Sequence, residues 1–266
     1  MKKFCGFLLV IVLMTSCGEY QSLLKSNDYN LVYKKAIEYY NKGDYQRAMN
    51  LLDGVRSVFV GQAKAQNIAY YRAFCSYNMK DYQIASDLFK QFIQTYPESS
   101  FAEECLYMMG FCDYKASPKP RLDQQVTEKA IREFQLYLSR YPYSMRKDKV
   151  NTYMDEMRDK LSYKAYLSAK NYYLREHYKA AVISLQNCLK DYPGSKYREE
   201  IMYMLFVSKY QMAVNSVEDK KVERYNNARE EYYYFADEYP NSRYAADVKK
   251  MYEDIEAYLE NYKFED

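Results

Sequence analysis

The 266-residue sequence contains no Trp, one His, seven Gly and six Pro. A single His cannot supply a zinc site that needs several imidazoles. It also makes a His-based catalytic triad an unfavoured interpretation. Seven glycines leave little room for a Gly-rich phosphate loop. So few helix breakers, in a chain that is 48% apolar and 28% charged, indicate an all-α globular protein.

The chain also lacks an excess of charge of either sign. It has 39 Lys and Arg against 36 Asp and Glu, and removal of Lys2 and Lys3 with the leader described below leaves 37 against 36. A nucleic-acid-binding protein needs a basic face that releases counterions. We therefore expect no nucleic-acid partner.

The first 17 residues, "MKKFCGFLLVIVLMTSC", join a short basic start to an apolar run and then to Thr-Ser before Cys17. The run is too short for a permanent membrane span, so it predicts a secretory signal. Small residues directly before a Cys resemble the lipobox of bacterial lipoproteins, in which the Cys is acylated, commonly with palmitate. We predict a cleaved lipoprotein signal peptide over 1–16, lipid attachment at Cys17, and a lipidated linker over 17–29. An ordinary cleaved signal is the alternative.

Four cysteines remain in the mature chain: Cys75, Cys105, Cys112 and Cys188. None forms a Cys-x-x-Cys motif. If Cys105 and Cys112 share a helix, about 10.5 Å of rise separates them, which is beyond disulfide reach. Buried free thiols that pack as small apolar residues are the favoured interpretation, and a disulfide between neighbouring helices is the alternative.

A Tyr-Pro-x-Ser pattern occurs four times, beginning at Tyr96, Tyr141, Tyr192 and Tyr239. Proline lacks an N–H and keeps the residue before it out of the helical region, so each Tyr is predicted to end a helix. The serines at 99, 144, 195 and 242 can then cap the next helix by accepting hydrogen bonds from its free N–H groups. The pattern predicts a joint between successive helical hairpins.

An Ala lies 11 residues before each of these tyrosines, at 85, 130, 181 and 228, and Tyr45 with Ala48 repeats part of the pattern earlier. Helix pairs with small residues at their crossing and Pro at the joint are typical of tetratricopeptide (TPR) repeats. We predict a right-handed superhelix of five TPR-like hairpins plus a C-terminal capping helix. The units span approximately 30–61, 62–98, 99–143, 144–194 and 195–241, and the capping helix spans 242–262, within a domain of 30–266.

Units three to five exceed the usual repeat length. In the third, the Pro-containing stretch over 116–125 is predicted to be an insert. In the fourth, the extra residues precede Tyr163 and predict a longer first helix. In the fifth, "QMAVNSVEDKKVERYNNA" is predicted to lengthen the turn between the two helices.

No arrangement of side chains suggests catalysis. Glu103, Glu104, Glu199 and Glu200 fall in first helical turns, where acidic residues favour the positive end of the helix dipole. His177 is predicted to lie in a solvated turn. We therefore expect neither an enzyme nor a metal site or cofactor.

The stretch "PRLDQQVTEKAIREFQLYLSRYPYS" over 120–144 resembles the BamD family, the lipoprotein subunit of the outer-membrane β-barrel assembly (BAM) machinery. The resemblance rests on Arg-x-Asp-Gln, then Thr, Ala and Phe, then Arg-Tyr-Pro-x-Ser. It runs from about residue 17 to 262 with the same number of repeats. The chain departs from the family in its 35 tyrosines and its four non-lipid cysteines.

The resemblance implies a lipid-anchored protein on the periplasmic face of the outer membrane that helps fold and insert β-barrel proteins. Its amino-terminal repeats would receive the C-terminal strand of unfolded outer-membrane protein precursors. Its C-terminal repeats would dock on the periplasmic domains of the central barrel subunit, beside other assembly lipoproteins. The alternative is a TPR lipoprotein that scaffolds another cell-envelope complex, for peptidoglycan coordination or nutrient uptake.

Two groups of residues carry this division of labour. Adjacent tyrosines face different sides of a helix, so some must be exposed. On first helices of the first two units they predict a peptide-binding surface at Tyr39, Tyr40, Tyr70, Tyr71 and Tyr77. The charged insert of the fifth unit predicts partner docking at Lys221, Glu223 and Arg224.

Overall fold

The computed structural model describes residues 18–262, and over these residues it contains helices and turns but no strand. The helices are α1 (18–24), α2 (Tyr29–Asn41), α3 (Tyr45–Val55), α4 (Lys64–Asn78), α5 (Tyr82–Thr95), α6 (Ala102–Ala116), α7 (Gln125–Arg140), α8 (Lys147–Leu174), α9 (Tyr178–Asp191), α10 (Arg198–Val214), α11 (Glu218–Glu238) and α12 (Ala245–Tyr262). The all-α prediction is confirmed.

The chain divides into two compact units. Within the described residues, unit 1 comprises 18–118 and Asp123–Met157, and unit 2 comprises Lys119–Leu122 and 158–262. Helix α8 begins in unit 1 and continues in unit 2. Each unit has its own apolar core, with consecutive helices packed against each other from α2 to α7 in unit 1 and from α9 to α12 in unit 2.

Small residues lie where paired helices approach each other. The alanines of the sequence pattern are fully buried, and so are three further alanines on the first helices of their hairpins: Ala48, Ala85, Ala130, Ala181 and Ala228, with Ala36, Ala73 and Ala169. A methyl group at these positions lets two backbones come close, and any larger side chain would have to displace the facing helix. The helical hairpin inferred from the Ala spacing is therefore the packing unit of both cores.

The Tyr-Pro joints end helices as predicted. Tyr96, Tyr141, Tyr192 and Tyr239 each follow the last helical residue of α5, α7, α9 and α11, and each N–H donates back to the carbonyl four residues earlier. Proline at the next position then prevents the helix from continuing.

The joint serines do not occupy the N-cap position, which corrects the sequence prediction. Each lies three residues before the first helical residue and starts a separate turn. Its hydroxyl accepts from the N–H two residues later, at 3.0–3.3 Å, and its carbonyl accepts from the first helical N–H. This turn, set by local side-chain-to-backbone bonding, directs the chain into the following helix.

The first-turn carboxylates also bind the next joint. Ser144 Oγ donates to Glu103 Oε1 at 2.7 Å, and Ser242 Oγ donates to Glu199 Oε1 at the same distance. Tyr137 Oη donates to the same oxygen of Glu103 at 3.0 Å. Equivalent hydrogen bonds thus tie consecutive hairpins together within each unit, in addition to the favourable dipole position of the glutamates.

The lengthened units differ in how they use their extra residues. The first helix of the fourth unit, α8, has 28 residues, as predicted. In the fifth unit the prediction of a longer turn was wrong, because only residues 215–217 separate α10 from α11. The extra residues contain no Gly or Pro and continue both helices.

The segment over 17–29, predicted as a linker, contains helix α1, which places Tyr20 and Leu23 in the core of unit 1.

The four mature-chain cysteines are free and buried. Burial raises the pKa of the Cys75 and Cys105 thiols to about 12 and that of Cys188 to about 11. The thiols are therefore protonated at neutral pH and pack as small apolar groups, in agreement with the favoured interpretation.

Gly110 marks a close helix approach that only glycine fits. A Cβ at this position would lie 2.9 Å from Cδ1 of Phe134, whose ring is fully buried. We expect Gly110→Ala to lower the free energy of unfolding by about 1–3 kcal/mol through overpacking. Gly54 in α3 has nothing within 4 Å of the same added atom. Gly54→Ala should instead raise it by up to about 1 kcal/mol through helix propensity. Urea denaturation of both variants checks the prediction, and a shared sign would contradict it.

An ionic cluster with buried carboxylates and a half-buried lysine joins α5, α6 and α7 in unit 1. Lys129 Nζ bonds Asp113 Oδ2 at 2.8 Å and lies 3.7 Å from Glu133 Oε1. Ser86 Oγ donates to Asp113 Oδ2 at 3.0 Å. Glu133 Oε2 is buried without a hydrogen-bond partner among the described residues. Burial and then the neighbouring carboxylate of Asp113 raise the pKa of Glu133 to about 8.

This pKa predicts a stability change with pH. Glu133 has an ordinary pKa of 4.5 when unfolded, so between about 4.5 and 8 the folded chain binds more protons than the unfolded chain. The Glu133 contribution to the free energy of unfolding therefore falls as pH rises through this window. We expect Glu133→Gln to remove this loss, so that relative to the unaltered chain it gains about 1–3 kcal/mol between pH 5 and pH 8. Glu128→Gln, at an exposed position of α7, is the matched control. Parallel pH profiles for the original chain and Glu133→Gln would refute the assignment.

Candidate functional site

Aromatic residues recur along the first helices of unit 1 at a spacing of 37 residues. Helix α4 carries Tyr70, Phe74 and Tyr77, and α6 carries Tyr107, Phe111 and Tyr114 at the same steps. Steps of four and three residues place each set on one helical face. The corresponding positions of α2 hold Tyr33, Ile37 and Tyr40. The repeat therefore sets these side chains side by side.

The rings form a continuous set of contacts, here called the aromatic row. Its members are Tyr40, Tyr70, Tyr71, Phe74, Tyr77, Tyr107, Phe111, Tyr114 and Tyr153. Ring centroids are 4.9 Å apart between Tyr40 and Tyr71, 5.5 Å between Tyr71 and Tyr70, and 4.5 Å between Tyr70 and Phe74. The contacts continue through Phe74 and Tyr77 to Phe111. Among the described residues the Tyr39 ring contacts only that of Tyr20, so Tyr39 lies outside the aromatic row.

The far end of the aromatic row lies on α6 and the first part of α8. Phe111 contacts Tyr153 at 5.4 Å, and Tyr114 stacks on Tyr153 at 4.4 Å. The Arg146 guanidinium lies 4.9 Å from the centroid of Tyr107. Stacked and edge-on contacts of this kind hold rings rigidly, so little side-chain entropy is left to lose when a ligand binds.

Some hydroxyls of the aromatic row are held by neighbours and others are free. Tyr70 Oη donates to Glu104 Oε2 at 2.8 Å, and Tyr114 Oη donates to Glu156 Oε2. The hydroxyls of Tyr71 and Tyr77 make no hydrogen bond within residues 18–262. Burial and then the Glu104 acceptor raise the pKa of Tyr70 above its ordinary value, and burial raises that of Tyr40 to about 12. These phenols stay protonated and can donate at neutral pH.

Four of the five predicted tyrosines, Tyr40, Tyr70, Tyr71 and Tyr77, belong to the aromatic row, and Tyr39 lies outside it. All five side chains are half-buried on α2 and α4. Sequence reasoning did not assign Phe74, Tyr107, Phe111, Tyr114 or Tyr153 to this surface. The prediction rested on pairs of adjacent tyrosines, whereas the 37-residue spacing indicates most of these five residues. The roles of all these residues remain a prediction.

The three predicted docking residues lie on α11 rather than in a turn. Lys221 Nζ pairs with Glu218 at 3.0 Å, and its ammonium lies over the Tyr258 ring. Arg224 donates to Ser216 Oγ at 2.6 Å and to the Met212 carbonyl. Glu223 is exposed. The two cations therefore already have partners inside unit 2, and Glu223 is the freest of the three to meet another protein.

The aromatic row suits non-covalent binding of a polypeptide. Ring faces and edges can receive aromatic side chains, while free hydroxyls and the Glu104 and Glu156 carboxylates can pair with backbone or side-chain donors.

Among residues 18–262 no group of three His, Cys, Asp or Glu could hold a metal ion. Over the same residues, no helix is both long and apolar enough to cross a bilayer. The predicted lipid attachment point, Cys17, lies outside the described residues.

Comparison with solved structures finds other helical-repeat proteins at low identity. The TPR2AB domain of yeast Sti1, solved as a pHSP90 complex, is 14% identical, with a TM-score of 0.39, and the match covers 86% of this chain and 98% of that one. A TPR-repeat protein of Bacteroides fragilis is 12% identical, with a TM-score of 0.41, covering 87% and 99%. Human IFIT1, solved as a dimer with PPP-AAAA, is 18% identical, with a TM-score of 0.30, covering 94% and 63%.

Sequence comparison is more specific for the family. Curated protein sequences give no significant match. The family model YfiO, described as an outer membrane lipoprotein, matches residues 25–200 and 164–265. These ranges include both units and nearly every helix, and the model represents the BamD family that the third repeat resembles. This chain therefore belongs to the YfiO, or BamD, family of outer membrane lipoproteins.

Proposed function

We propose that this protein is a non-catalytic subunit of the β-barrel assembly machinery, lipid-anchored at Cys17 on the periplasmic face of the outer membrane. Unit 1 captures the C-terminal strand of unfolded barrel precursors through the aromatic row. Unit 2 docks on the periplasmic domains of the central barrel subunit, in company with other assembly lipoproteins. Capture is transient and is followed by handover.

The aromatic row is the observation that carries this proposal. Barrel strands alternate apolar and polar side chains and carry aromatic girdles at the membrane interfaces. An extended segment of this kind would set alternate aromatic side chains against the rings and its polar groups against the free hydroxyls of Tyr71 and Tyr77. Family membership supports the cellular setting, and the geometry supports a polypeptide ligand.

The test uses a synthetic peptide that copies the final strand of an outer-membrane barrel. Replacing Tyr40 and Tyr71 by Ala removes two contacting rings, each worth about 0.5–1.5 kcal/mol in an aromatic pair. We expect the double variant to bind the peptide about tenfold more weakly in fluorescence anisotropy, since 1.4 kcal/mol is a factor of ten. Tyr143→Ala, at a 97% exposed tyrosine outside the aromatic row, is the matched control and should bind normally. Circular dichroism verifies folding of each variant.

Docking is tested separately on α11. Charge reversal at Lys221 and Arg224 should weaken assembly with the central subunit and leave peptide capture intact. Because Arg224 also holds the α10–α11 turn, Glu223→Lys is the cleaner variant, as it changes an exposed charge alone. If the tyrosine and charge variants affected both activities equally, or if the strand peptide did not bind, the division of labour would be wrong. The alternative function, a TPR lipoprotein that scaffolds another cell-envelope complex, would then be favoured.

A further inference from the structure

Unit 2 contains a cavity that the proposed precursor capture does not use. Its volume is about 750 Å³, within the range of pockets that hold small ligands or short peptide segments. The lining comes from α8, from Tyr197 at the start of α10, and from Arg121 in the loop before α7. All of these residues belong to unit 2.

Three stacked tyrosines form one wall of this cavity. The rings of Tyr166 and Tyr197 are 4.4 Å apart and tilted by 12°, and Tyr163 lies 5.3 Å from Tyr197. The Tyr166 hydroxyl accepts from Lys170 Nζ at 2.8 Å. The hydroxyls of Tyr163 and Tyr197 make no hydrogen bond with any part of the chain that the structure describes. The wall therefore offers flat aromatic rings for apolar contact and two hydroxyl groups that are free to form hydrogen bonds.

Cations line the cavity, and no carboxylate of the described residues does. Lys170 pairs with Glu200 at 2.7 Å, so its charge is largely compensated. Lys164 Nζ donates to the neutral carbonyl of Leu122 at 2.8 Å, which leaves its charge uncompensated. Arg121 is exposed and has no ion-pair partner among residues 18–262. The cavity thus carries about two unneutralised positive charges beside an aromatic wall.

We infer that this cavity binds an acidic segment of a polypeptide, with two Asp or Glu carboxylates on Arg121 and Lys164 and an apolar or aromatic side chain on the tyrosines. Arg can grip one carboxylate with two parallel N–H groups, while the Lys164 ammonium keeps two free donors. The Asn171 side chain, also in the lining, can bond the peptide backbone. Two carboxylates match the uncompensated charge, whereas a single chain terminus would leave one cation unpaired.

The experiment uses the complete chain and the N-acetylated, C-amidated peptide Glu-Asp-Trp-Asp-Glu. Because the protein has no Trp, indole emission excited at a wavelength that its 35 tyrosines do not absorb reports binding without background from the protein. We expect saturable binding that weakens with added salt and weakens about tenfold or more in Arg121→Glu and in the double variant Arg121→Glu, Lys164→Glu. The neutral analogue Gln-Asn-Trp-Asn-Gln should not bind.

Matched controls make the result specific to the cavity. Lys179→Glu with Lys190→Glu changes the net charge equally at exposed positions of α9 outside the cavity, and should bind the acidic peptide normally. Equal weakening by both double variants, or no binding at all, would overturn the inference. Binding of a neutral peptide with a free C-terminal carboxylate in preference to the amidated acidic peptide would also overturn it. The cavity variants should still capture the barrel-strand peptide, so this site and the aromatic row fail or succeed independently.

Discussion

Ala181→Arg is expected to lower the free energy of unfolding by about 3–5 kcal/mol. Ala181 is fully buried in the core shared by α8, α9 and α10. A guanidinium at this position would overpack a close helix crossing and bury a charge that has no partner. Since domains of this size are stable by only about 5–15 kcal/mol, the variant should melt at a clearly lower temperature.

The neighbouring joint supplies the comparison. Pro193→Ala should be mild, because proline at an exposed position forbids helix continuation and alanine merely permits it. Ala257→Arg, on an exposed position of α12, controls for adding an Arg to a helix and should change stability by less than about 0.5 kcal/mol. If thermal melts ranked Pro193→Ala as more damaging than Ala181→Arg, the register of the repeats would be wrong.

Cys17→Ala is expected to release the protein from the membrane. The motif "MTSC" after an apolar run predicts that the mature chain begins at Cys17 and carries acyl chains. Each buried methylene contributes about 0.8 kcal/mol, so several chains give stable anchoring that high salt does not reverse. Gly18 rather than Asp follows, which lacks the inner-membrane retention signal of enteric-type lipoproteins. The intact mass of the purified chain checks acylation at Cys17, and membrane fractionation at high salt checks anchoring.

Cys5→Ala is the matched control, because it removes a thiol from the segment that should be cleaved. It should leave both the mature mass and the membrane association unchanged. Retention of Cys17→Ala in the membrane fraction at high salt, alone and uncomplexed, would mean that the anchor lies elsewhere.

The features predicted best from the sequence depend on local chemistry. Proline acts on its immediate predecessor, so the helix ends at Tyr96, Tyr141, Tyr192 and Tyr239 followed from four two-residue motifs. The alanine spacing identified the helix crossings because only small residues fit there. Ser195 and its equivalents were recognised as part of the joint but were placed too close to the helix, since an N-cap and a preceding turn use the same side-chain chemistry.

Features that depend on distant partners were missed. The charged stretch after Val214 was interpreted as a longer turn, although nothing in it breaks a helix and α11 buries Tyr225 and Ala228. The Glu133 cluster could not be foreseen, because its members come from three helices and their burial depends on how those helices pack. Five residues of the aromatic row were missed for a different reason: they do not belong to pairs of adjacent tyrosines, although the 37-residue period that relates most of them is present in the sequence.

Identification of the proteins that co-purify with this lipoprotein from detergent-solubilised membranes tests the central claim most directly. The proposed function predicts the central β-barrel assembly subunit as a stoichiometric partner, and barrel precursors that are lost when Tyr40 and Tyr71 are replaced by Ala. Recovery of a peptidoglycan-synthesis or nutrient-uptake complex, with neither the central barrel subunit nor any precursor, would contradict it.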